Sequence, residues 1–299
     1  METIRAARMV EVGLMVCESI EMPRIEDGEV LVRTEMSSIC GSDLHVVMMG
    51  TGVGHPLPCP HGYPGHEGIG TVVESRALEL PEGTRVLTCP NPYNGQCFQA
   101  YQRIKAAYCV PLPETDVPAG ELMMAQQFGT VMYAMQAFPR SLIGKTAVVM
   151  GQGSAGLFWS YLCKRAGAEQ VIVSDLSSAR LAASQKFGAD TCVNVRNGDL
   201  ETVVKDLTQG RGAGFVVEAV GRPETFLESV HVAATDGEIM WFGLPGTDGS
   251  MPMDFNQFFR KRLRANSQYG AQFEAGASSF REALRLIANR EIDVSPLLS

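Results

Sequence analysis

The pattern of apolar and polar positions divides the chain into a β-rich beginning and a longer mixed region. Residues 1–38 alternate apolar and polar positions between turn signals such as Glu26-Asp27-Gly28, which predicts hairpin-like strands. Residues 46–64 are rich in glycine and proline and predict a loop. Further short strands are predicted at 69–74, at 84–88 and twice within 98–113. The opening part of the chain therefore predicts a compact, irregular β domain.

From about residue 120 the pattern changes to helices that alternate with strands. The apolar run Thr146–Met150 is typical of a strand buried on both faces of a parallel sheet. The other predicted elements are helices at 121–138, 156–166, 177–187, 224–234 and 279–289, and strands at 170–174, 215–220, 238–242 and 267–270. This alternation predicts an α/β protein with a doubly wound parallel sheet. We place one β-rich domain at 1–119, the doubly wound domain at 120–268 and a short closing segment at 269–299.

Composition and charge narrow the class of protein. A length of 299 residues suits two domains, and 45% hydrophobic residues with 31 glycines suit a soluble α/β enzyme. The formal net charge of −8 argues against a nucleic-acid partner. The one notable basic cluster, 260–264, is more typical of an exposed turn or helix end than of a phosphate-binding patch. No apolar run is long enough for a membrane span, and the first residues lack the apolar stretch of a secretory signal, so we expect neither. Eight dispersed cysteines without a C-x-x-C pair predict reduced thiols and a cytoplasmic location.

A glycine motif follows the first strand of the doubly wound domain. It reads Gly151-Gln152-Gly153-Ser154-Ala155-Gly156, between a predicted strand and a predicted helix. Its first glycine makes the tight turn, its second lets the backbone approach a pyrophosphate, and its third lets the helix pack on the strand. The next strand ends in Asp175, where a carboxylate would bind the adenosine ribose hydroxyls and repel a 2′-phosphate. We therefore predict an NAD site, with NADP less favoured; a glycine turn without a nucleotide is the alternative.

Other candidate cofactor residues are less specific. Arg180 follows Asp175 closely enough to reach the ribose, although it is equally well explained as a solvated helix residue. Val220-Gly221 and Gly243-Leu244 come at the carboxyl ends of predicted strands, the edge at which open α/β sheets bind ligands. Val220 and Gly243 are therefore candidate cofactor contacts.

A second group of chemically able side chains lies within 39–70. Cys40, His66 and Glu67 supply the mixed thiolate, imidazole and carboxylate ligands that catalytic zinc prefers. Zinc held in this way would polarise an alcohol oxygen and prepare it for hydride transfer. Ser42 would take the alcohol proton and pass it, through the cofactor ribose, to His45.

The same stretch offers a residue to orient a ligand, and a weaker second cluster. Asp43 would orient a metal-ligating imidazole without binding the metal itself. His55 and His61, with Cys59 between them, allow a second metal site, but a proline-rich loop explains these residues equally well.

These motifs together resemble the zinc-dependent alcohol/polyol dehydrogenases of the medium-chain dehydrogenase/reductase superfamily. The resemblance follows the same order over nearly the whole chain, and it is carried by 40–45 (CGSDLH), 65–68 (GHEG), 151–156 (GQGSAG) and 215–221 (FVVEAVG). It implies a GroES-like β-rich catalytic domain, a Rossmann domain, one catalytic Zn²⁺ and a homodimer or homotetramer.

The chain departs from the family in three places. Many members bind a structural zinc on four closely spaced cysteines, whereas this chain has only Cys89, Cys97 and the distant Cys109, so we expect no structural zinc. Gln126 stands where some polyol- and sugar-acting members have a ligating glutamate, which makes it a candidate weak ligand beside Glu67. The family also continues with a further strand and helix beyond the equivalent of Ser299, so the return to the catalytic domain is expected to be shortened.

The predicted function is NAD-dependent, zinc-dependent hydride transfer from a small secondary alcohol, polyol or sugar. Met48, Met49 and Phe128 are candidate residues of the substrate pocket. Two alternatives stay open at this point. One is a zinc-free quinone or enoyl reductase of the same superfamily, and the other is a cofactor-binding protein without turnover.

Overall fold

The computed structural model describes residues 2–50, 52–138, 141–246 and 249–298. It contains two compact units, Met1–Thr130 with Gly270–Ser299, and Val131–Tyr269. The chain passes from one unit to the other after Thr130 and after Tyr269. The boundaries that we predict from the sequence lie after residues 119 and 268. The predicted fold class is confirmed, because one unit is β-rich and the other contains a parallel sheet between helices.

The first unit is built on two antiparallel sheets. Strands β1 (Thr3–Glu11) and β2 (Leu14–Glu21) form a hairpin. Strands β3 (Glu29–Ser37), β4 (Gly68–Ser75), β5 (Arg85–Thr88), β6 (Tyr101–Lys105) and β7 (Cys109–Pro111) form a five-stranded sheet in the order β6-β3-β4-β5-β7. The alternating apolar side chains of these strands face one core, which includes Val30, Val32, Val72, Val86 and Ile104. Burial of this apolar set is what the period of two in the sequence encodes.

The first unit also contains helices. They are α1 (Gly41–Leu44), α2 (Ala119–Met123), α3 (Ala125–Met135), which continues into the second unit, and α9 (Ser278–Ala288). A π-helical turn, His45–Met49, follows α1 directly. The prediction of a loop from residue 46 was therefore wrong over its first residues. Val46 is buried and anchors the turn, which ends at Gly50 in the left-handed conformation (φ 70°).

The second unit has the strand order of a dinucleotide-binding fold. Its strands are β8 (Thr146–Met150), β9 (Gln170–Asp175), β10 (Thr191–Asn194), β11 (Ala213–Glu218), β12 (Ala233–Trp241) and β13 (Arg264–Ser267). All pairings are parallel, in the order β10-β9-β8-β11-β12-β13. The order reverses between β8 and β11, and ligands of such sheets bind at the carboxyl ends of the strands beside this point.

Helices connect these strands: α4 (Ser154–Arg165), α5 (Ser178–Ser184), α6 (Leu200–Leu207), α7 (Pro223–Val232) and α8 (Phe255–Arg260). Strand β10 and helices α6 and α8 were not predicted. The start of α6 did carry a sequence signal, since the Asp199 side chain caps it by accepting a hydrogen bond from the Thr202 N–H (2.6 Å).

The last predicted strand was misplaced. It was expected at 267–270, whereas β13 begins at Arg264, opposite Glu238 of β12. Glu238 is 2% exposed, and the Arg264 guanidinium reaches it at 2.9 Å. Lys145 also lies 2.9 Å from this buried carboxylate, so Glu238 is paired with two cations, of which β13 contributes one. Within the described part of the chain, no helix has the length and apolarity needed to cross a membrane.

Candidate active site

The first candidate ligand, Cys40, is held by the start of a short helix. Cys40 caps α1 in an extended conformation, and its N–H donates to Asp43 Oδ2 at 2.8 Å. Asp43 itself is only 2% exposed. The carboxylate at the third helical position therefore fixes the backbone that carries the thiol, because it satisfies an N–H that the helix leaves unpaired.

His66 lies between Asp43 on one side and Ser42 on the other. Its Nδ1 is 2.9 Å from Asp43 Oδ1 and 3.3 Å from the Pro64 carbonyl, and its Nε2 is 3.5 Å from Ser42 Oγ. The Asp43 carboxylate and the Pro64 carbonyl therefore both face Nδ1. Nε2, on the other side of the ring, is the nitrogen available to a metal, as expected of an imidazole that a carboxylate orients.

The surroundings of His66 favour positive charge. Burial alone lowers the pKa of the imidazole. The acceptors Asp43 and Cys40 outweigh that effect and raise the pKa well above its ordinary value.

Glu67 completes the group. It is 7% exposed, its Oε2 accepts a hydrogen bond from Ser38 Oγ, and its Oε1 is buried without a hydrogen-bond partner among the described residues. A buried carboxylate oxygen that lacks a partner costs free energy unless a cation or donor satisfies it.

The three side chains meet the requirements of a zinc site. Ligand atoms of Cys40, His66 and Glu67 all lie within 4.8 Å of one another. In the described ranges this is the one His, Cys, Asp and Glu group with such geometry. Sulfur, nitrogen and carboxylate oxygen are zinc ligands, and three protein ligands leave the open position of a catalytic ion.

Gln126, the other candidate ligand, lies in α3 and is 3% exposed. Its Nε2 donates to the main-chain carbonyl of His66 at 3.5 Å. The structure thus places Gln126 against the backbone of a candidate ligand, with its amide nitrogen turned toward that backbone.

The remaining predicted residues of this unit have varied surroundings. His45 begins the π-helical turn and is half-buried. Met48 and Met49 are exposed, whereas Phe128 is fully buried. His61 pairs with Glu18 (2.9 Å). Cys59 lies in an apolar cluster, and burial raises its pKa. The described contacts of His61 and Cys59 are those of residues in a packed loop.

Three further thiols, Cys89, Cys97 and Cys109, are also buried. Burial raises the pKa of each, to about 12 for Cys97. Cys97 donates to Gln102 Oε1 at 3.3 Å, which gives that thiol a partner inside the sheet.

In the second unit, the glycine motif forms the turn from β8 to α4. Gly151 has φ +85°, and a Cβ on Gly156 would lie 1.8 Å from the Gly151 carbonyl oxygen. Gly153 caps α4, with no atom within 4 Å of the position of a Cβ, and Ser154 and Ala155 form the first turn of the helix. The N–H groups of such a helix start are available to a pyrophosphate.

Gln152, inside the motif, has a role that the sequence did not reveal. Its side chain is fully buried, donates to Gly151 O (2.9 Å) and Val149 O (3.3 Å), and accepts from Ser160 Oγ (3.2 Å). The buried carboxamide therefore stabilises the glycine turn through these hydrogen bonds. A polar residue at a variable position of the motif was the one available signal.

Asp175 lies at the end of β9 as predicted, and both of its oxygens also hold backbone. Oδ2 accepts from the Gln152 N–H and Oδ1 from the Ser177 N–H, both at 2.7 Å. Arg180 is 3.8 Å from Oδ2, with a side chain 61% exposed. Asp175 thus joins the glycine turn to the end of the next strand.

Glu218 organises the turns after β11 and β12. Its Oε1 accepts from the N–H groups of Val220 (2.8 Å) and Gly221 (2.9 Å) and from Thr225 Oγ1 (2.7 Å). A Cβ on Gly243 would lie 2.6 Å from its Oε2. Burial raises the pKa of Glu218 above its ordinary value, although these hydrogen bonds offset part of the rise. The two turns that contain Val220 and Gly243 are therefore packed around one buried carboxyl group.

Comparison with known proteins agrees with both halves of this description. Residues 26–135 match the alcohol dehydrogenase GroES-like domain, and residues 155–289 match the zinc-binding dehydrogenase family. The L-threonine 3-dehydrogenase of Chromobacterium violaceum is 24% identical over 308 residues, which cover 94% of this chain and 87% of that protein.

Solved structures share the fold. Galactitol-1-phosphate dehydrogenase from Escherichia coli has a TM-score of 0.83 and 20% identity, covering 98% of this chain and 91% of that one. A Sinorhizobium meliloti protein bound to NADP has a TM-score of 0.82 and 21% identity, covering 98% and 91%.

The chain belongs to the zinc-type medium-chain dehydrogenase/reductase superfamily, as its motifs predicted. Its relatives include dehydrogenases that act on CH–OH groups, so the predicted enzyme class, an oxidoreductase of this kind, is confirmed. The matched family is described as zinc-binding, in agreement with the Cys40, His66 and Glu67 group.

The glycine turn gives a first testable prediction. Gly156→Ala forces a Cβ against the Gly151 carbonyl, so we expect a loss of roughly 1–3 kcal/mol or more in the free energy of unfolding. Gly153→Ala is the matched control, and it should change stability by less than about 0.5 kcal/mol because its Cβ meets no atom. Urea denaturation of the ligand-free variants measures both values; equal stabilities would contradict the prediction.

Glu218 gives a prediction about pH. Burial raises the pKa of Glu218 in the folded protein. The stabilisation that the neutral carboxyl contributes is therefore fully present below the ordinary pKa, 4.5, and is lost as pH rises through the raised pKa of the folded state. Glu218→Gln stays neutral throughout. The free energy of unfolding of the wild type, measured relative to this variant by denaturation between pH 4 and 8, should fall as pH rises. A difference that moves in favour of the wild type would be inconsistent with a raised pKa.

Proposed function

We propose that the protein is an NAD-dependent, zinc-dependent dehydrogenase of a small secondary alcohol, polyol or sugar. The observation that carries the proposal is the convergence of Cys40, His66 and Glu67 within 4.8 Å in one unit, in a chain whose other unit has the glycine turn. A zinc-free quinone or enoyl reductase gains no support, since such an enzyme has no use for this ligand group.

The metal site would use three residues of this chain. Cys40 Sγ, His66 Nε2 and Glu67 Oε1 would hold the ion, with Asp43 orienting His66 and Gln126 supporting its carbonyl. When bound, zinc would polarise the alcohol oxygen and the nicotinamide would accept hydride.

Proton transfer is assigned to residues beside these ligands. Ser42 Oγ lies 3.5 Å from His66 Nε2, which places the hydroxyl beside the proposed ligand atoms. The Ser42 hydroxyl would accept the alcohol proton while it passes its own proton on, through the cofactor ribose, to His45, which would release a proton to solvent.

The cofactor site would lie along the strand ends of the second unit. The N–H groups at Gly153, Ser154 and Ala155 would receive the pyrophosphate, as the start of α4 suits an anion. Asp175 and Arg180 would contact the adenosine ribose, while Val220 and Gly243 would contact the nicotinamide half through their backbone. NAD is preferred in this proposal because Asp175 would repel a 2′-phosphate, whereas the Sinorhizobium meliloti relative binds NADP.

Several finer parts of the proposal stay predictions. The family resemblance implies one catalytic zinc and a homodimer or homotetramer. The spacing of the cysteines predicts that there is no structural zinc, and their dispersal predicts a cytoplasmic location. The relatives named L-threonine 3-dehydrogenase and galactitol-1-phosphate dehydrogenase favour a substrate with a polar group near the reacting hydroxyl.

Substitution of the thiol tests the metal mechanism. Cys40→Ser replaces a soft sulfur ligand with a weak neutral oxygen, so zinc content and alcohol-dependent NADH formation should both fall, turnover by at least ~100-fold. NADH affinity, measured by fluorescence titration, should stay within about twofold of the wild type. Unchanged turnover in this variant would exclude the proposed mechanism.

Substitution of Asp175 tests the choice of cofactor. Asp175→Ala removes the ribose acceptor and the contacts to Gln152 and Ser177. A hydrogen bond to a charged group contributes ~1.5–3 kcal/mol, so kcat/KM for NAD should fall at least tenfold, and the ratio of NADP to NAD activity should rise. A wild type that already prefers NADP would show that the interpretation of Asp175 is wrong.

A further inference from the structure

Ser38, which lies directly after β3, contacts a candidate metal ligand without being one. Its Oγ donates to Glu67 Oε2, and its backbone N–H donates to the Glu67 carbonyl at 3.3 Å. The two residues are neighbours because Ser37 pairs with Gly68 across β3 and β4. Ser38 therefore binds both the backbone and the side chain of Glu67.

The hydrogen bond from the Ser38 hydroxyl gives the two carboxylate oxygens of Glu67 different surroundings. Oε2 is occupied by Ser38, whereas Oε1 is buried and has no hydrogen-bond partner in the described part of the chain. A carboxylate in this position can offer one defined oxygen to a cation. Without the hydroxyl, the side chain could rotate and offer either oxygen or both.

The charge of the site makes this orientation important. Gln126 is neutral, and its amide nitrogen donates to the His66 carbonyl oxygen at 3.5 Å. In the candidate ligand group, the negatively charged ligand besides the Cys40 thiolate must therefore be Glu67. Together with the Cys40 thiolate it would balance the two positive charges of zinc. The affinity for the ion then depends on how well Glu67 is held.

We propose that Ser38 is a positioning residue that holds Glu67 as a metal ligand through Oε1. This inference rests on the proposed zinc site and adds a residue to it. Hydrogen-bonding partners behind metal ligands commonly change metal affinity by about 10–100-fold when they are removed. Loss of the Ser38 hydroxyl should act in this range, by lowering the affinity for the ion.

The adjacent serine provides a matched control. Ser37 Oγ donates to the main-chain carbonyl of Cys97 at 2.6 Å, so its described hydrogen bond is to a residue outside the candidate ligand group. Ser37→Ala and Ser38→Ala thus remove the same group from neighbouring positions of one strand end. We expect Ser38→Ala to weaken Zn²⁺ binding about 10–100-fold, and Ser37→Ala to leave the Zn²⁺ dissociation constant nearly unchanged. Competition with a chromophoric chelator measures this constant directly, independently of activity.

A double-mutant cycle ties the effect to Glu67. In a Glu67→Gln background the carboxylate is absent, so Ser38→Ala should change the Zn²⁺ dissociation constant little. If Ser38→Ala folds poorly, Ser38→Thr and Ser38→Val replace it as a pair of similar shape that differs in the hydroxyl. Of these two, Ser38→Thr should retain the higher affinity.

The outcomes separate this inference from the proposed function. Wild-type affinity in Ser38→Ala, an equal loss in Ser37→Ala, or an undiminished loss in the Glu67→Gln background would overturn the role of Ser38. In each case zinc binding that depends on Cys40 would leave the proposed function standing. A wild type whose Zn²⁺ binding is indifferent to Cys40→Ser would overturn both.

Discussion

Antiparallel pairing of β3 with β4 is the constraint on which the metal site depends. The last described pair of that ladder is Ser37 with Gly68. The chain leaving β3 and the chain entering β4 therefore lie side by side, which brings Cys40 next to His66 and Glu67 although a long loop separates them. The Ser38 N–H to Glu67 carbonyl contact extends the pairing by one more step. The apolar faces of the two strands fix this register, since a shift by one residue would expose the core side chains.

The register of β3 and β4 brings the candidate ligands together, but it also buries acidic side chains. Burial of these side chains costs free energy unless a donor or a cation is close to them. Asp43 and Glu67 are 2% and 7% exposed, and the Cys40 thiol is half-buried beside them. Carboxylates are rarely buried unless they are paired or bind a metal. His66 and the backbone N–H of Cys40 meet the needs of Asp43 in part. Glu67 Oε1 has no such partner among the described residues, so a bound cation would offset the cost of its burial.

The sequence was informative wherever a function needs a local motif. The glycine turn, Asp175 at the end of β9 and the Cys40, His66 and Glu67 group could be placed because short motifs and alternating elements specify them. Ser38 and Glu218 could not be assigned these roles. The partner of Ser38 is distant along the chain, and the role of Glu218 depends on how the turn after β12 packs against it. The misplaced β13 has a similar cause, since its register depends on pairing with Glu238 of another strand.

Acidic side chains at element ends organise both units by the same physical means. Asp43 accepts from the N–H of Cys40, Asp175 from those of Gln152 and Ser177, and Glu218 from those of Val220 and Gly221. Hydrogen bonds to carboxylates are stronger than neutral ones, and burial strengthens them further. Turns held in this way are ordered before a ligand arrives, so binding costs less conformational entropy. Among the described residues, Glu218 Oε2 and Asp43 Oδ1 are buried without a hydrogen-bond donor, as Glu67 Oε1 is, so a free oxygen alone does not mark a ligating carboxylate. Glu67 differs because it lies with Cys40 and His66 in one group of ligand atoms within 4.8 Å. The described hydrogen bonds of Glu218 are instead made with the turns that surround it.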